Sequence, residues 1–114
     1  EDLTVTGNIN YGGALTFTSD ARVKSDLIPA DPRSCYFLLQ AITLHEFTKS
    51  GHRVLGVIAQ ELEHLDPRLV CHTGRSFIDV NGNYQEDLLT VNLDRLVGVL
   101  LGGLKHVIAR LDEL

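Results

Sequence analysis

Residues 93–114 place the strongest constraint on how this chain folds. Apolar residues recur there at alternating intervals of four and three, at Leu93, Val97, Leu100, Leu104, Val107, Leu111 and Leu114. This unbroken heptad register predicts a helix that associates with other helices along one apolar stripe. Leu101 and Ile108 make the stripe wider than a two-stranded coiled coil would cover. Asn92 is placed to cap the start of the helix.

Two arrangements of this helix fit the pattern. It either packs as a core helix on its own domain or joins copies of itself in a helical stem, and three heptads favour self-association. Gly98, Gly102 and Gly103 lower the helix propensity of this segment, each by on the order of 1 kcal/mol relative to Ala. Close packing between helices must offset that cost, so the glycines predict a close helix approach.

The size of the chain also favours association. Its 114 residues and 12.6 kDa allow a single domain, with seven Phe and Tyr residues and no Trp. Domains this small are marginally stable, and oligomerisation adds buried surface. The chain also lacks Met, which indicates a piece cut out of, or processed from, a longer protein.

Charge and hydropathy argue against several classes of ligand. The formal net charge is −5 with no basic run, whereas nucleic-acid binding needs clustered Lys and Arg. No apolar run approaches the roughly 18 residues that suggest a membrane span. Cys35 and Cys71 either pair or remain thiols, and their spacing favours thiols. No metal or other cofactor is expected. The five histidines show no metal-ligand spacing together with either cysteine, and we expect them at the surface or half-buried. They are His45, His52, His64, His72 and His106.

The first 18 residues differ in composition from the rest of the chain. Apolar residues alternate there with Thr and Asn around Gly12-Gly13, which predicts short β segments. Such segments bury little surface alone and need partners. We therefore assign residues 1–18 to the end of an upstream β-rich region and residues 19–114 to a separate domain.

The middle of the chain predicts short helices and hairpins, which gives an α+β fold class. Asp31-Pro32 predicts the start of a helix over about 33–43. Residues 44–48 and 53–58 are expected to form a hairpin, followed by a helix over 59–65. Strands are expected over 69–71 and 77–80, with a return strand within 83–91. The first helix is expected to bury Phe37, Leu38, Ala41 and Ile42.

Ser19 and Lys24 form a candidate nucleophile and base. A serine becomes a nucleophile when a base takes its proton, and lysine serves as that base only when burial or nearby positive charge makes it neutral. On a continuous helix the two residues would lie about 140° apart and could not touch. The pair therefore requires Ser19 outside a helix with Lys24 folding back. Spacing alone favours two unrelated surface residues.

Several motifs in order strengthen the candidate dyad. The run Ser19-Asp-Ala-Arg-Val-Lys24 is followed about 30 residues later by Gly56-Val-Ile-Ala-Gln-Glu-Leu62, then by Pro67-Arg-Leu-Val70, Val91-Asn-Leu and the apolar helix. This order resembles the intramolecular chaperone auto-processing domain, found at the C-terminal end of phage tailspikes, endosialidases and tail fibres and in myelin regulatory factor. The resemblance covers residues 17–114. Val23 and Leu93 depart from the Leu and the aromatic residue usual in the family.

The resemblance implies a homotrimer that guides folding of the upstream β-rich region of its own chain and then cuts itself off. Cleavage would fall between Thr18 and Ser19, with Ser19 as nucleophile and Lys24 as base. Cleavage would take place in the host cytoplasm during virion assembly, and the domain would then be released from the mature fibre. Asp20, Arg22, Gln60 and Glu61 are candidates for supporting roles, with capping or packing equally open for the last two.

Two other functions are compatible with the same residues. One is a permanent trimerisation module of a fibre that never cuts itself. The other is a Ser/Lys hydrolase that acts on other molecules. In the self-cleaving and permanent-module interpretations, the trimer stem consists of Leu93, Val97, Leu100, Leu104, Val107 and Leu111.

Overall fold

The computed structural model describes residues 19–114 and shows a mixed α+β fold. Residues 1–18, with the predicted β segments and Thr18, lie outside the described range. Within that range the α-helices are α1 (Pro32–Ala41), α2 (Ala59–Leu65) and α3 (Leu93–Asp112). The strands are β1 (His45–Lys49), β2 (His52–Gly56), β3 (Val70–His72), β4 (Phe77–Ile78), β5 (Tyr84–Gln85) and β6 (Leu89–Val91).

Helix α1 starts where the sequence predicts but buries a different face. The Asp31 side chain accepts from the Arg33 backbone N–H, and Pro32 occupies the first turn. The side chains packed on the core follow the helical repeat of Cys35, Leu38, Leu39 and Ile42. The predicted burial of Phe37 and Ala41 is wrong for this chain, because both lie off that face and are exposed.

The predicted hairpin is present as the antiparallel pair β1–β2, in which His45 pairs with Gly56 and Lys49 with His52. Ser50 and Gly51 form the turn with φ of 52° and 79°. Two successive positive φ angles are typical of a type I′ turn, whose twist matches that of the flanking strands. The Phe47 ring lies against Gly56, where an added Cβ would approach to 3.3 Å.

Asp66 joins α2 to the elements that follow it. It ends α2 and caps a 3₁₀ helix over Pro67–Leu69, accepting from the Arg68 backbone N–H. Its carboxylate also pairs with the Arg68 and Arg95 guanidinium groups, at 3.0 and 3.5 Å. Hydrogen bonding to Arg68 is the main cause that lowers the pKa of this buried carboxyl. The contact with Arg95 ties the loop after α2 to the first turns of α3.

The segment over 70–91 forms two small antiparallel pairs instead of one long hairpin. β4 pairs with β5 across the Asn81-Gly82 turn, and β3 pairs with β6. The return strand predicted within 83–91 is therefore two strands with different partners. Leu69 belongs to the 3₁₀ helix instead of the predicted strand, which begins at Val70.

The core of the described residues is small. Leu62, Leu69, Val70 and Val99 are its buried apolar side chains, contributed by α2, the 3₁₀ helix, β3 and α3. Half-buried residues of α1, α2, β6 and α3 surround them. A core of this size supplies limited stability to a single chain.

Helix α3 begins at the predicted cap, where the Asn92 side chain accepts from the Arg95 backbone N–H. One side of the helix packs on α1. A Cβ added at Gly102 would lie 2.6 Å from the Cys35 sulfur, and one at Gly103 would lie 2.7 Å from Leu39. The predicted close helix approach is confirmed at these two glycines, whereas a Cβ at Gly98 would meet open space.

Candidate functional site

The candidate dyad lies on an exposed segment, residues 19–31, which we call the arm. Every residue of the arm is exposed, and it precedes α1. Val23 and Leu27 are each 69% exposed, and Ile28 is 85% exposed. Asp26 has a positive φ of 54°, which bends the arm just beyond Lys24.

The structure brings Ser19 and Lys24 together within one chain. Lys24 Nζ donates to Ser19 Oγ at 2.9 Å. A single 3₁₀ turn over Ala21–Val23 lies between them, with extended backbone at Asp20 and Lys24 on either side. Because this tight turn replaces a continuous α-helix, the two side chains meet on one side of it. The geometric condition set by the sequence, Ser19 outside the helix and Lys24 folded back, is met.

Asp20 and Arg22 stabilise the turn that holds the dyad. Asp20 caps it by accepting from the Arg22 backbone N–H at 2.9 Å. The Arg22 guanidinium also donates to both oxygens of Asp20, at 2.5 to 3.1 Å. These bonds lower the pKa of Asp20 and raise the pKa of Arg22. The charge of Arg22 is thus directed at Asp20, which assigns both residues to positioning the turn.

The separation of the dyad suits proton transfer, but its surroundings are open. A distance of 2.9 Å falls in the range at which a base takes a proton from a nucleophile. Both residues are exposed to solvent in the single chain. Water favours the charged ammonium, whereas a lysine base must be neutral. The two side chains therefore lie within proton-transfer distance, and residues 19–114 leave both of them exposed.

Neither Gln60 nor Glu61 forms a hydrogen bond with Ser19 or Lys24 among residues 19–114. Glu61 accepts from or pairs with His45 at 2.9 Å, which ties α2 to β1. Gln60 is exposed and faces the grooves on either side of α2. Within one chain, the structure thus gives Glu61 a packing role between two elements.

The predicted stem residues form an uncovered apolar stripe. Its six positions are 37% to 60% exposed: Leu93, Val97, Leu100, Leu104, Val107 and Leu111. Leu101 and Ile108 beside them are also about half exposed. Helix α3 therefore packs on its own domain with one side and leaves the heptad side free.

Sequence reasoning missed one polar cluster. His72 on β3 places Nδ1 2.5 Å from an Asp87 carboxylate oxygen and Nε2 against the Glu63 carboxylate of α2. Asp87, with a positive φ of 60°, also accepts from the Gly74 backbone N–H at 2.9 Å. The carboxylates raise the pKa of His72, Asp87 most strongly. These residues come from distant parts of the sequence, so no local spacing could reveal the cluster.

The structure also describes the cysteines and histidines of the sequence, and it bears on possible metal and membrane-spanning sites. Cys35 and Cys71 are free thiols, as the spacing favours. The five histidines are exposed or half-buried, as expected. Among residues 19–114, no group of three or more His, Cys, Asp or Glu side chains is arranged to hold a metal ion. No helix in the described part of the chain is long and apolar enough to cross a membrane.

Comparison with known proteins adds one distant relative. No protein-family model matches the chain. It is similar to an uncharacterized protein of Dictyostelium discoideum, with 26% identity over 127 aligned residues. The alignment covers 99% of this chain and 11% of the relative, so the chain spans about a tenth of that protein.

Proposed function

We propose that the chain is a C-terminal intramolecular chaperone that trimerises, guides folding of a β-rich region upstream, and then cuts itself between Thr18 and Ser19. The observation that carries the proposal is the 2.9 Å contact between Ser19 Oγ and Lys24 Nζ. A turn capped by Asp20 holds the two side chains together, which is the geometry that a nucleophile and its base require. The ordered motifs that resemble the auto-processing family supply the upstream and trimeric parts of the proposal.

The reaction follows from the positions of these groups. The Ser19 hydroxyl attacks the carbonyl carbon of Thr18 while its proton passes to the neutral Lys24 amine. The Thr18–Ser19 C–N bond breaks, the nitrogen takes the proton, and an ester joins Thr18 to the Ser19 oxygen. Water then hydrolyses the ester, which yields a Thr18 carboxylate and restores the hydroxyl. The reaction is a single turnover that depends on orientation.

The uncovered stripe of α3 supports the trimeric part of the proposal. A row of half-exposed apolar side chains along a 20-residue helix leaves apolar surface for a partner. Their heptad spacing fits copies of the same helix. The added e-position side chains fit three strands better than two. Assembly would also add burial to a domain with a small core.

A permanent trimerisation module is the second candidate. The same uncovered stripe favours it, because the stripe would assemble the chain whether or not the dyad reacts. The two functions differ only in the fate of the Thr18–Ser19 bond. A module without cleavage leaves the Ser19–Lys24 contact without a role.

Substitution of the dyad tests the proposal. Ser19→Ala removes the nucleophile, and Lys24→Met removes the base, so both should abolish release of residues 1–18. Lys24→Arg should fail as well, because guanidinium stays protonated near neutral pH. Intact mass spectrometry of purified trimer follows the reaction, with Lys105→Arg as a control that makes the same exchange at an exposed position outside the arm and the heptad stripe. Cleavage at the normal rate in Lys24→Arg would show that lysine is not the base.

A further inference from the structure

A groove on the surface of the chain is lined largely by apolar side chains, which suits the exposed apolar side chains of the arm. It lies between the β1–β2 hairpin, the β4–β5 pair and β6, and has a volume of about 760 Å³. We call it the hairpin groove. Its polar lining includes Lys49 and three carboxylates, those of Asp79, Glu86 and Asp87. Its apolar lining includes Phe47, Val57, Phe77, Leu89, Val91 and Leu93.

The arm carries apolar side chains that the described residues of its own chain, 19–114, leave exposed. Val23, Leu27 and Ile28 are the exposed apolar residues nearest the dyad. Extended backbone at Lys24 and the bend at Asp26 present them on a projecting segment. A mostly apolar groove is a suitable binding site for such a segment.

The positions of the arm and the groove favour contact between chains. Ala30, at the base of the arm, lines a shallow cavity with Gly98 and Leu101, beside the heptad stripe. The hairpin groove ends at Leu93, the first residue of the same stripe. When stripes meet in a bundle, arm and groove of adjacent chains both flank the seam. With the turn over Ala21–Val23 kept, an extended segment of residues 25–30 reaches about 20 Å, against roughly 10 Å between packed helices.

We infer that, in the trimer, the arm of each chain lies in the hairpin groove of a neighbouring chain. The inference rests on the proposed function and states what completes its site. Three arms and three grooves close into a ring, as a heterologous interface with threefold symmetry does. Cover by the apolar part of the groove favours the neutral amine of Lys24, whereas the groove's carboxylates favour the ammonium, so the inference requires Lys24 to lie against the apolar part. Cleavage therefore requires assembly, because each dyad is covered by another chain.

Mixed trimers of two differently tagged chains test this arrangement. One chain carries Ser19→Ala and keeps its groove. The other keeps its dyad but has its groove filled by Lys49→Trp and Thr90→Trp, two exposed positions that line the groove from β1 and β6. The matched control, Glu46→Trp with Thr48→Trp, puts the same side chains on the other face of β1, outside the groove.

The expected result is complementation between chains. The filled-groove chain alone stays uncut, and its control is cut like the wild type. Co-expressed at equal amounts with the Ser19→Ala chain, about half of the filled-groove chains are cut, because about half have an intact neighbouring groove. Excess Ser19→Ala chain drives the fraction toward completion. Filled-groove chains that stay uncut at every ratio, or that are cut alone, would overturn the inference.

A second readout does not depend on cleavage. In a Cys35→Ala, Cys71→Ser, Ser19→Ala background, the thiol of Ile28→Cys reports the cover on the arm. We expect it to react more slowly with a maleimide in the trimer than in the same trimer with a filled groove. Equal rates would refute the placement of the arm. A wild-type chain that never cuts, together with a protected thiol, would refute the proposed function and leave the arm–groove contact supported.

Discussion

Truncation of one stem residue gives a quantitative test of the trimer. Leu104 lies near the middle of α3 and is 51% exposed in the single chain. Full burial of a Leu side chain contributes about 1.5–3 kcal/mol, so covering the exposed half contributes about 1 kcal/mol. Leu104→Ala removes most of this contribution from each chain and changes helix propensity little.

The symmetry of the trimer amplifies the effect. Three copies of the substitution cost about 3 kcal/mol per trimer, which is about two powers of ten in the association constant. The midpoint concentration of assembly varies as the inverse square root of a trimer association constant, so it rises about tenfold. Sedimentation equilibrium over a dilution series measures that midpoint.

The control removes the same atoms from another surface. Leu55 on β2 is 67% exposed and lies outside the stem. Leu55→Ala should leave the midpoint of assembly unchanged. An unchanged midpoint in Leu104→Ala, or an equal shift in both variants, would refute the assignment of the stripe to the trimer seam.

Three further predictions follow from the packing of α3, the stem and the polar cluster. Gly98→Ala, which faces open space, should raise the free energy of unfolding by up to about 1 kcal/mol. Gly102→Ala, which crowds a cysteine of α1, should lower it. Urea titration distinguishes the two variants, and equal effects would contradict the close approach of α1 and α3. Leu100→Asp with Leu104→Asp should give monomers or aggregates, and cleavage should fall with the trimer fraction; full-rate cleavage in such a monomer would show that assembly does not gate the dyad. The raised pKa of His72 means that the stability it contributes is fully present below the unfolded pKa of about 6.5 and is lost as pH rises through the folded pKa. Urea midpoints should therefore fall more steeply above about pH 6.5 in the wild type than in His72→Gln. Parallel pH profiles would contradict the contact of His72 with Asp87 and Glu63.

Local signals in the sequence predicted much of the secondary structure. Asp31 and Asn92 cap the helices that they were expected to cap, and Ser50-Gly51 forms the expected turn. These features depend on residues close together in the chain, where side-chain chemistry and backbone preference act directly. Helix α2 matches its predicted range for the same reason, since Pro67 limits its extension.

Features that depend on tertiary packing were harder to predict. Phe37 was expected in the core, but the buried face of α1 is set by Cys35 and Leu39 against the glycines of α3. The strands within 83–91 take different partners, which hydrophobic pattern alone does not specify. The heptad pattern revealed the free side of α3 but not the side packed on α1.

The candidate site shows the same division. Residue types and their order suggested Ser19 and Lys24, yet spacing alone left two unrelated surface residues as the simpler interpretation. Their contact depends on a single 3₁₀ turn capped by Asp20, a structure too short to produce a periodic pattern. The exposure of both side chains among residues 19–114 is a tertiary property that only the fold reveals.

N-terminal sequencing of the expressed protein, with a β-rich segment still attached upstream, shows whether the Thr18–Ser19 bond is cut. Self-cleavage gives two products from the wild type, one of which begins at Ser19, and a single uncut chain from Ser19→Ala. The Ser19 product should appear in the trimer fraction after size-exclusion chromatography. A wild-type trimer that keeps the Thr18–Ser19 bond intact on prolonged incubation would contradict self-cleavage, and a new terminus at another residue would contradict the assigned dyad.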